Sequence, residues 1–128
     1  KPVEEQKFTG RTEALEAVLE KMRLEEFETV AVIEMTQKRA RESADYLRTR
    51  MEELGMDTKK YLSCLDRDST QFRKGVTVTT FYLAKGLEFD QVFALYEKND
   101  NTPLHRQAKY ICATRALHEL YMFETGEM

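Results

Sequence analysis

The chain has 128 residues, of which 41% are hydrophobic and 34% are charged. This length favours one domain, and the apolar content is sufficient for a core. The 20 basic and 23 acidic side chains nearly cancel to a net charge of −3. That balance does not indicate nucleic-acid binding, although a local basic groove can lie on an acidic body. No apolar run approaches the roughly 20 residues of a membrane span, so we expect no membrane partner.

The cysteines and histidines do not form the pattern of a metal site. Cys64 and Cys112 are not part of a CxxC pair, and His105 and His118 are too few and too scattered for a zinc set. One disulfide is compatible with the count, but reduced thiols in a cytosolic protein are the preferred interpretation. We therefore expect no metal site and no catalytic role for these four residues.

The first half of the chain predicts a lead-in, two helices and one strand. Residues 1–9 show no anchoring pattern, whereas residues 10–128 are predicted as the folded domain. A helix capped by Thr9 is expected, because apolar residues recur at the spacing of one helical face. The β-branched run 29–35, TVAVIEM, is typical of a buried strand. A second amphipathic helix follows and stops at Gly55, a residue suited to helix ends.

The second half predicts more strands than helices. Its elements are, in order, a weak strand (61–65), a polar loop (66–75), a strong strand (76–83), a strand (91–97), a turn (99–103), a helix (103–118) and a last strand (119–124). Buried strands that alternate with amphipathic helices predict an α/β fold, a mostly parallel sheet covered on both faces. Ligands bind such folds outside the carboxyl ends of the strands. Lys85-Gly86-Leu87-Glu88 follows the 76–83 strand directly, so this segment is predicted to lie at that edge.

Two segments resemble motifs of a known family. VTVTTFYLAKGLEFDQVF (76–93) resembles motif V of the superfamily 1 helicases of the UvrD/Rep type, and YICATRALHELYMF (110–123) resembles their motif VI. They stand in the family's order, and KGLEF followed by ATRA is more specific than KGLEF alone. VAVIEMTQKRAR (30–41) resembles motif IV more loosely. The resemblance implies a three-layer RecA-like domain, the second of two motor domains that hold ATP between them and grip single-stranded DNA.

The resemblance also implies roles for residues in the ATP site. Arg115 matches the arginine that reaches the γ-phosphate, and Arg41 matches the motif IV arginine that assists it. Glu88 matches the acid that contacts the nucleotide ribose. Gly86 fits a tight backbone turn or the close approach of a ligand. For Lys85, a salt bridge and a phosphate contact both stay open.

Three further residues are implied in DNA binding. Thr80 matches a threonine that contacts the DNA backbone, and Thr79 lies beside it. Tyr82 stands where many relatives have a histidine near the DNA. Hydroxyl-to-phosphate contacts and aromatic stacking are the ordinary means of holding a single strand.

Each of these residues also has an ordinary structural explanation. Arginine is favoured at a helix end such as that of Arg115, and Arg41 has Asp45 four residues later as an ion-pair partner. Glu88 fits an exposed loop carboxylate or a partner for Lys85. Thr and Tyr are good strand residues. If the KGLEF match arose by chance in an unrelated doubly wound domain, Arg41, Glu88 and Arg115 would not converge on one edge of the sheet.

The motifs of the first motor domain are absent from this sequence. There is no GxxxxGK[ST] loop and no Asp-Glu dipeptide for a magnesium-binding motif. ATP and Mg²⁺ would therefore be bound mainly by a missing N-terminal motor domain, and this domain alone is expected to lack ATPase activity. The start at Lys1-Pro2 likewise predicts a fragment of a longer protein.

The amino-acid sequences of the two motifs resemble one branch of the family in particular. YLAKGLEFD together with TRALHEL resembles the RNA-polymerase-associated helicases, which implies a bacterial cytoplasmic protein. The alternative function is accordingly a binding factor that does not unwind DNA but remodels RNA polymerase under the control of ATP.

Overall fold

The computed structural model describes residues 3–25, 27–64, 74–98 and 102–126. The elements within these residues are β1 (Val3–Phe8), α1 (Arg11–Glu25), β2 (Thr29–Glu34), α2 (Gln37–Glu53), α3 (Thr58–Tyr61), β3 (Leu62–Cys64), β4 (Gly75–Thr80), β5 (Phe89–Glu97), α4 (Pro103–Arg115) and β6 (Ala116–Thr125). No helix in these ranges is long and apolar enough to cross a membrane.

The described strands form one sheet in the order β1-β6-β5-β2-β4-β3, and each neighbouring pair is parallel. A parallel neighbour requires that the chain return to the starting edge of the sheet. Helices make this return after β1, β2 and β5, whereas residues 81–88 make it after β4 without a helix. The predicted α/β sheet is confirmed, and in the described residues it is parallel throughout.

Two hydrophobic cores lie on opposite faces of this sheet. The first packs α1 and α2 against Val32 and Phe93, among others, and the second packs α4 against Ile33 and Ala94. Successive side chains of a strand point to opposite faces, so neighbours such as Val32 and Ile33 enter different cores. A strand covered on both faces is apolar along most of its length, which explains the central run VAVI of β2.

Both ends of α2 are capped, and the cap at the carboxyl end was predicted. The Thr36 side chain accepts a hydrogen bond from the backbone N–H of Arg39 and caps the amino end. At the other end, Gly55 has a φ of +80°. Its N–H donates to the Glu52 carbonyl, and the Met56 N–H donates to the Met51 carbonyl. These two bonds form a Schellman motif, so the predicted stop at Gly55 is confirmed.

The predicted lead-in over residues 1–9 is wrong, because Val3–Phe8 forms an edge strand. β1 pairs with β6, for example Val3 with Leu120 and Phe8 with Thr125. Its side chains alternate between exposed and half-buried. Thr9 does not cap α1 as predicted, since its hydroxyl donates instead to the Glu13 carboxylate at 2.8 Å.

Several element boundaries in the second half differ from the predicted ones. β4 ends at Thr80 rather than at residue 83, and α4 ends at Arg115 rather than at His118. The chain turns at Phe81–Gly86, where the Ala84 N–H donates to the Thr80 carbonyl. Ala116 pairs with Phe89 of β5, and this pairing extends β6 back to the end of the helix. Most of the predicted loop 66–75 and of the turn 99–103 lies outside the described residues.

Candidate functional site

The sheet has an amino edge and a carboxyl edge, because the described strands all run in the same direction. Glu88 and Arg115 immediately precede β5 and β6, so both lie at the amino edge. Phe89 and Ala116, the residues that follow them, are register partners in neighbouring strands. Neighbouring strands are about 4.8 Å apart. The fold therefore brings Glu88 and Arg115 together.

The segment Lys85-Gly86-Leu87-Glu88 does not lie where the sequence predicted it. Residues 81–88 leave β4 at the carboxyl edge and reach β5 at the amino edge, so Glu88 lies across the sheet from Thr80. Gly86 has a φ of +83°, and a Cβ added there would meet nothing within 4 Å. The glycine is therefore explained by the left-handed backbone of this turn rather than by a close protein contact. Lys85 forms no ion pair with the described residues, which gives its salt-bridge interpretation no support.

Arg115 is half-buried, and the preceding residue holds its guanidinium. Its Nε and Nη2 donate to Thr114 Oγ1 at 3.2 and 3.1 Å. The Thr114 hydroxyl in turn donates to the Ile111 carbonyl at 2.7 Å. Arg115 forms no ion pair with a described carboxylate, so its charge is available to a ligand.

Further polar residues surround this pair at the amino edge. Asp90 and Thr29 exchange hydrogen bonds between side chain and backbone, at 3.2 and 2.9 Å, and so tie β5 to β2. The His118 Nε2 lies 3.7 Å from a carboxylate oxygen of Asp90. Its ring stacks on Phe27 with centroids 5.7 Å apart. This group was not predicted from the sequence, because His118 was expected to lie in a helix.

Arg41 lies away from Arg115 and Glu88. It is exposed in the second turn of α2, which begins directly after the carboxyl end of β2. The two arginines are thus at opposite edges, and the predicted convergence of three residues on one edge holds for Glu88 and Arg115 alone. The alternative explanation of Arg41, an ion pair with Asp45, has no support in the described residues, since Asp45 accepts from Arg48 at 3.0 Å.

The three residues implied in DNA binding lie at the carboxyl end of β4. Thr79 and Thr80 are fully buried, with 0% exposure. Their hydroxyls have no hydrogen-bond partner among the described residues. Tyr82 is 42% exposed and packs edge-to-face on Phe81 with centroids 5.4 Å apart. Of the three, Tyr82 alone offers a surface to a large ligand in this structure.

A buried ionic cluster was not predicted and also lies at the carboxyl edge. Glu34, the last residue of β2, is 1% exposed and accepts from Arg11 Nη2 at 2.5 Å and from the Ser43 hydroxyl. Burial raises the pKa of Glu34, and the nearby Arg11 charge opposes that rise. A cavity of about 150 Å³ opens beside them between β2 and β5, near the ion pair of Arg39 with Glu97. The sequence feature that could have indicated this cluster is the acid Glu34 at the end of an apolar strand run.

A larger groove of about 1450 Å³ runs beside α1, with Met22, Phe27 and Tyr61 in its lining. None of the predicted site residues lines it. In the described part of the chain, no group of three or more His, Cys, Asp or Glu side chains is arranged to hold a metal ion.

Comparison with known proteins gives two matches and one negative result. Residues 75–123 match the family model of the UvrD-like helicase C-terminal domain. The crystal structure of the C-terminal domain of a possible DNA helicase from Lactobacillus plantarum WCFS1 superposes with a TM-score of 0.77 at 20% identity, covering 100% of this chain and 76% of that one. No curated protein matched the chain. The structural likeness confirms the predicted RecA-like α/β fold. The segment matched by the family model contains Glu88 and Arg115 but not Arg41.

Proposed function

We propose that this chain is the C-terminal motor domain of an ATP-dependent superfamily 1 DNA helicase or translocase. In the longer protein it would complete the ATP site and contact single-stranded DNA. The observation that carries the proposal is the placement of Glu88 and Arg115 side by side at the amino edge, within the segment that matches the UvrD-like model.

Arg115 would stabilise the charge that develops on the γ-phosphate as it leaves. Its guanidinium is permanently charged and planar, and it has no carboxylate partner among the described residues. An arginine supplied by a second domain makes hydrolysis depend on domain closure. In GTPases such an arginine is worth roughly 10³ to 10⁵ in rate.

Glu88 would accept a hydrogen bond from a ribose hydroxyl of the same nucleotide. A carboxylate performs this task in dinucleotide-binding folds. Glu88 is exposed, and its neighbour Phe89 is fully buried in the second core. The buried ring anchors the backbone from which the carboxylate projects.

DNA would contact the other edge of the sheet, at Tyr82. An exposed aromatic ring can stack on a base, a contact worth about 1–3 kcal/mol. The unsatisfied hydroxyls of Thr79 and Thr80 support a role in phosphate binding, because a buried polar group without a partner is costly. Because both threonines are fully buried, they would reach a phosphate only after the neighbouring residues move. ATP and DNA would thus occupy opposite edges joined by residues 81–88.

The missing N-terminal motor domain would be the necessary partner of this chain. A phosphate-cradling loop and a magnesium-binding acid pair would come from that domain, so this chain alone should not hydrolyse ATP. Association with RNA polymerase and a bacterial cytoplasmic location remain predictions from the resemblance.

The test is the ATPase activity of the full-length parent, stimulated by single-stranded DNA, in the native protein and in Arg115→Ala. We expect turnover to fall by about 10²-fold or more while ATP still binds, because the arginine acts on the transition state. Arg48→Ala is the matched control, since Arg48 is exposed on α2, which packs on the opposite face of the sheet from α4.

Unchanged turnover in Arg115→Ala would exclude the proposed role of this edge in hydrolysis. Arg41→Ala belongs in the same series, because Arg41 lies at the opposite edge. A fall in turnover as large as that of Arg115→Ala would restore Arg41 as a catalytic residue. A loss confined to DNA affinity would place it on the DNA path.

A further inference from the structure

We propose that Thr114 is a positioning residue for Arg115, one that holds the guanidinium ready for the γ-phosphate. The inference rests on the proposed function of Arg115, and it adds a residue to which neither the resemblance nor the comparisons assign a role. The supporting observation is the hydrogen-bond geometry of the Thr114 hydroxyl group.

The Thr114 hydroxyl is fully used by three hydrogen bonds. It accepts from Arg115 Nε at 3.2 Å and from Arg115 Nη2 at 3.1 Å, and it donates to the Ile111 carbonyl at 2.7 Å. A hydroxyl has one proton and two lone pairs, so no capacity is left over. Donation to the helix carbonyl fixes the proton, and the two lone pairs are therefore left for the guanidinium.

This arrangement occupies one particular edge of the guanidinium. Thr114 takes the edge formed by Nε and Nη2. The opposite edge, formed by Nη1 and Nη2, has no partner among the described residues. A free guanidinium edge with two parallel N–H donors matches two oxygens of a phosphate group. Thr114 thus leaves available the edge that a γ-phosphate would use.

The position of Thr114 adds rigidity to this support. Thr114 and Arg115 are the last two residues of α4, and Cys112 just before them is fully buried in the second core. The hydroxyl is therefore attached to a packed helix end rather than to a loop. Holding a catalytic group in its reacting geometry before the substrate arrives raises turnover more than it raises affinity.

The first experiment compares Thr114→Val with Thr114→Ser in the full-length parent. Valine keeps the shape of threonine and removes the hydroxyl, so we expect kcat to fall by about 10-fold while KM for ATP changes little. Serine keeps the hydroxyl, so it should restore most of the turnover. Thr114→Ala serves as the second hydroxyl-free variant if the valine protein does not fold.

Thr49→Val is a matched control for the loss of a helix hydroxyl. The Thr49 hydroxyl donates to the Asp45 carbonyl at 3.2 Å, and it accepts from no arginine among the described residues. Thr49 is exposed on α2, outside the proposed nucleotide and DNA contacts. We expect this variant to retain native kcat and KM.

The double variant separates positioning from a general structural effect. Thr114→Val should lower kcat in the native background and have no further effect in Arg115→Ala, because Thr114 acts through that side chain. A kcat that is unchanged by Thr114→Val, or that falls equally in both backgrounds, would overturn the positioning role. If Arg115→Ala itself leaves turnover unchanged, the proposed function fails first and positioning falls with it.

A second readout needs no nucleotide and uses this chain directly. The Nε–H resonance of Arg115, assigned by its absence in Arg115→Ala, reports the bond to Thr114 by nuclear magnetic resonance. We expect slowed solvent exchange in the native chain and in Thr114→Ser, and free-arginine exchange in Thr114→Val. Native exchange in Thr114→Val would show that the hydroxyl does not hold the guanidinium.

Discussion

The buried cluster of Arg11, Glu34 and Ser43 gives a prediction whose size follows from the contacts. Arg11 Nη2 donates to the Glu34 carboxylate at 2.5 Å and lies 2.7 Å from the Ser43 hydroxyl. Glu34 is 1% exposed, so its carboxylate depends on Arg11 and Ser43 rather than on solvent for its hydrogen bonds. Arg11→Met keeps an apolar stem and leaves a buried carboxylate without a cation. Breaking a buried pair in this way costs about 3–5 kcal/mol.

The same substitution should make the stability depend more steeply on pH. Burial raises the pKa of Glu34 in the folded state, and Arg11 opposes that rise. A carboxyl whose pKa is raised by folding favours the folded state below its ordinary value, near 4.5, and this contribution is lost as pH rises through the folded value. Without Arg11 the pKa of Glu34 rises further. The deficit of Arg11→Met should therefore be larger at pH 7.5 than at pH 5.

Urea unfolding followed by circular dichroism at the two pH values measures both effects. Arg48→Met is the control, since Arg48 forms an exposed pair with Asp45 that is worth about 0–1 kcal/mol. Adding Glu34→Gln to Arg11→Met should recover much of the loss, because the unpaired charge is then gone. A deficit below about 1 kcal/mol, or one that is equal at both pH values, would refute the buried-charge explanation.

Two further predictions concern the fold and its thiols. Gly75 has a φ of +102°, and a Cβ there would lie 2.3 Å from the Tyr61 carbonyl oxygen, whereas a Cβ at Gly55 meets nothing within 4 Å. Gly55→Ala should cost only the left-handed strain of an alanine, about 1–2 kcal/mol. Gly75→Ala should lower the urea midpoint well beyond that, because it adds a clash with the Tyr61 carbonyl. Equal midpoints for the two variants would contradict the clash. Burial raises the pKa of Cys112 to about 12, so iodoacetamide should label half-buried Cys64 in the native chain and Cys112 only after unfolding. Peptide mass spectrometry checks this order, and native labelling of Cys112 would contradict it.

The strands that were predicted well are those whose local pattern reports burial on both faces. In β2, Val32 and Ile33 enter different cores, so an unbroken apolar run was a sufficient signal. β1 carries Glu4, Glu5 and Lys7, and it is a strand because β6 lies beside it. Its partner comes from the far end of the chain, and no local pattern reports such a pairing.

The candidate site was predicted through the resemblance rather than through periodicity. That resemblance picked out Glu88 and Arg115, yet Glu88 was assigned to the wrong edge because residues 81–88 return to the amino edge and β5 begins at Phe89 rather than at residue 91. The end of α4 could not be predicted from the sequence either, since no glycine or proline follows Arg115 in Ala116-Leu117-His118. Glu34 was overlooked because its partner Arg11 lies on another element.

The strand order also constrains how the chain assembles as it is synthesised. β1 emerges first, yet its neighbour in the sheet is β6, which emerges last. β5 and β6 lie between β1 and β2 in the sheet. β1 and β2 therefore become part of one sheet only after β5 and β6 have been synthesised. Pairings between such distant residues form slowly, because a long loop must close first. A chain that stops at Arg115 would lack the ten-residue strand β6, which joins β1 to the rest of the sheet.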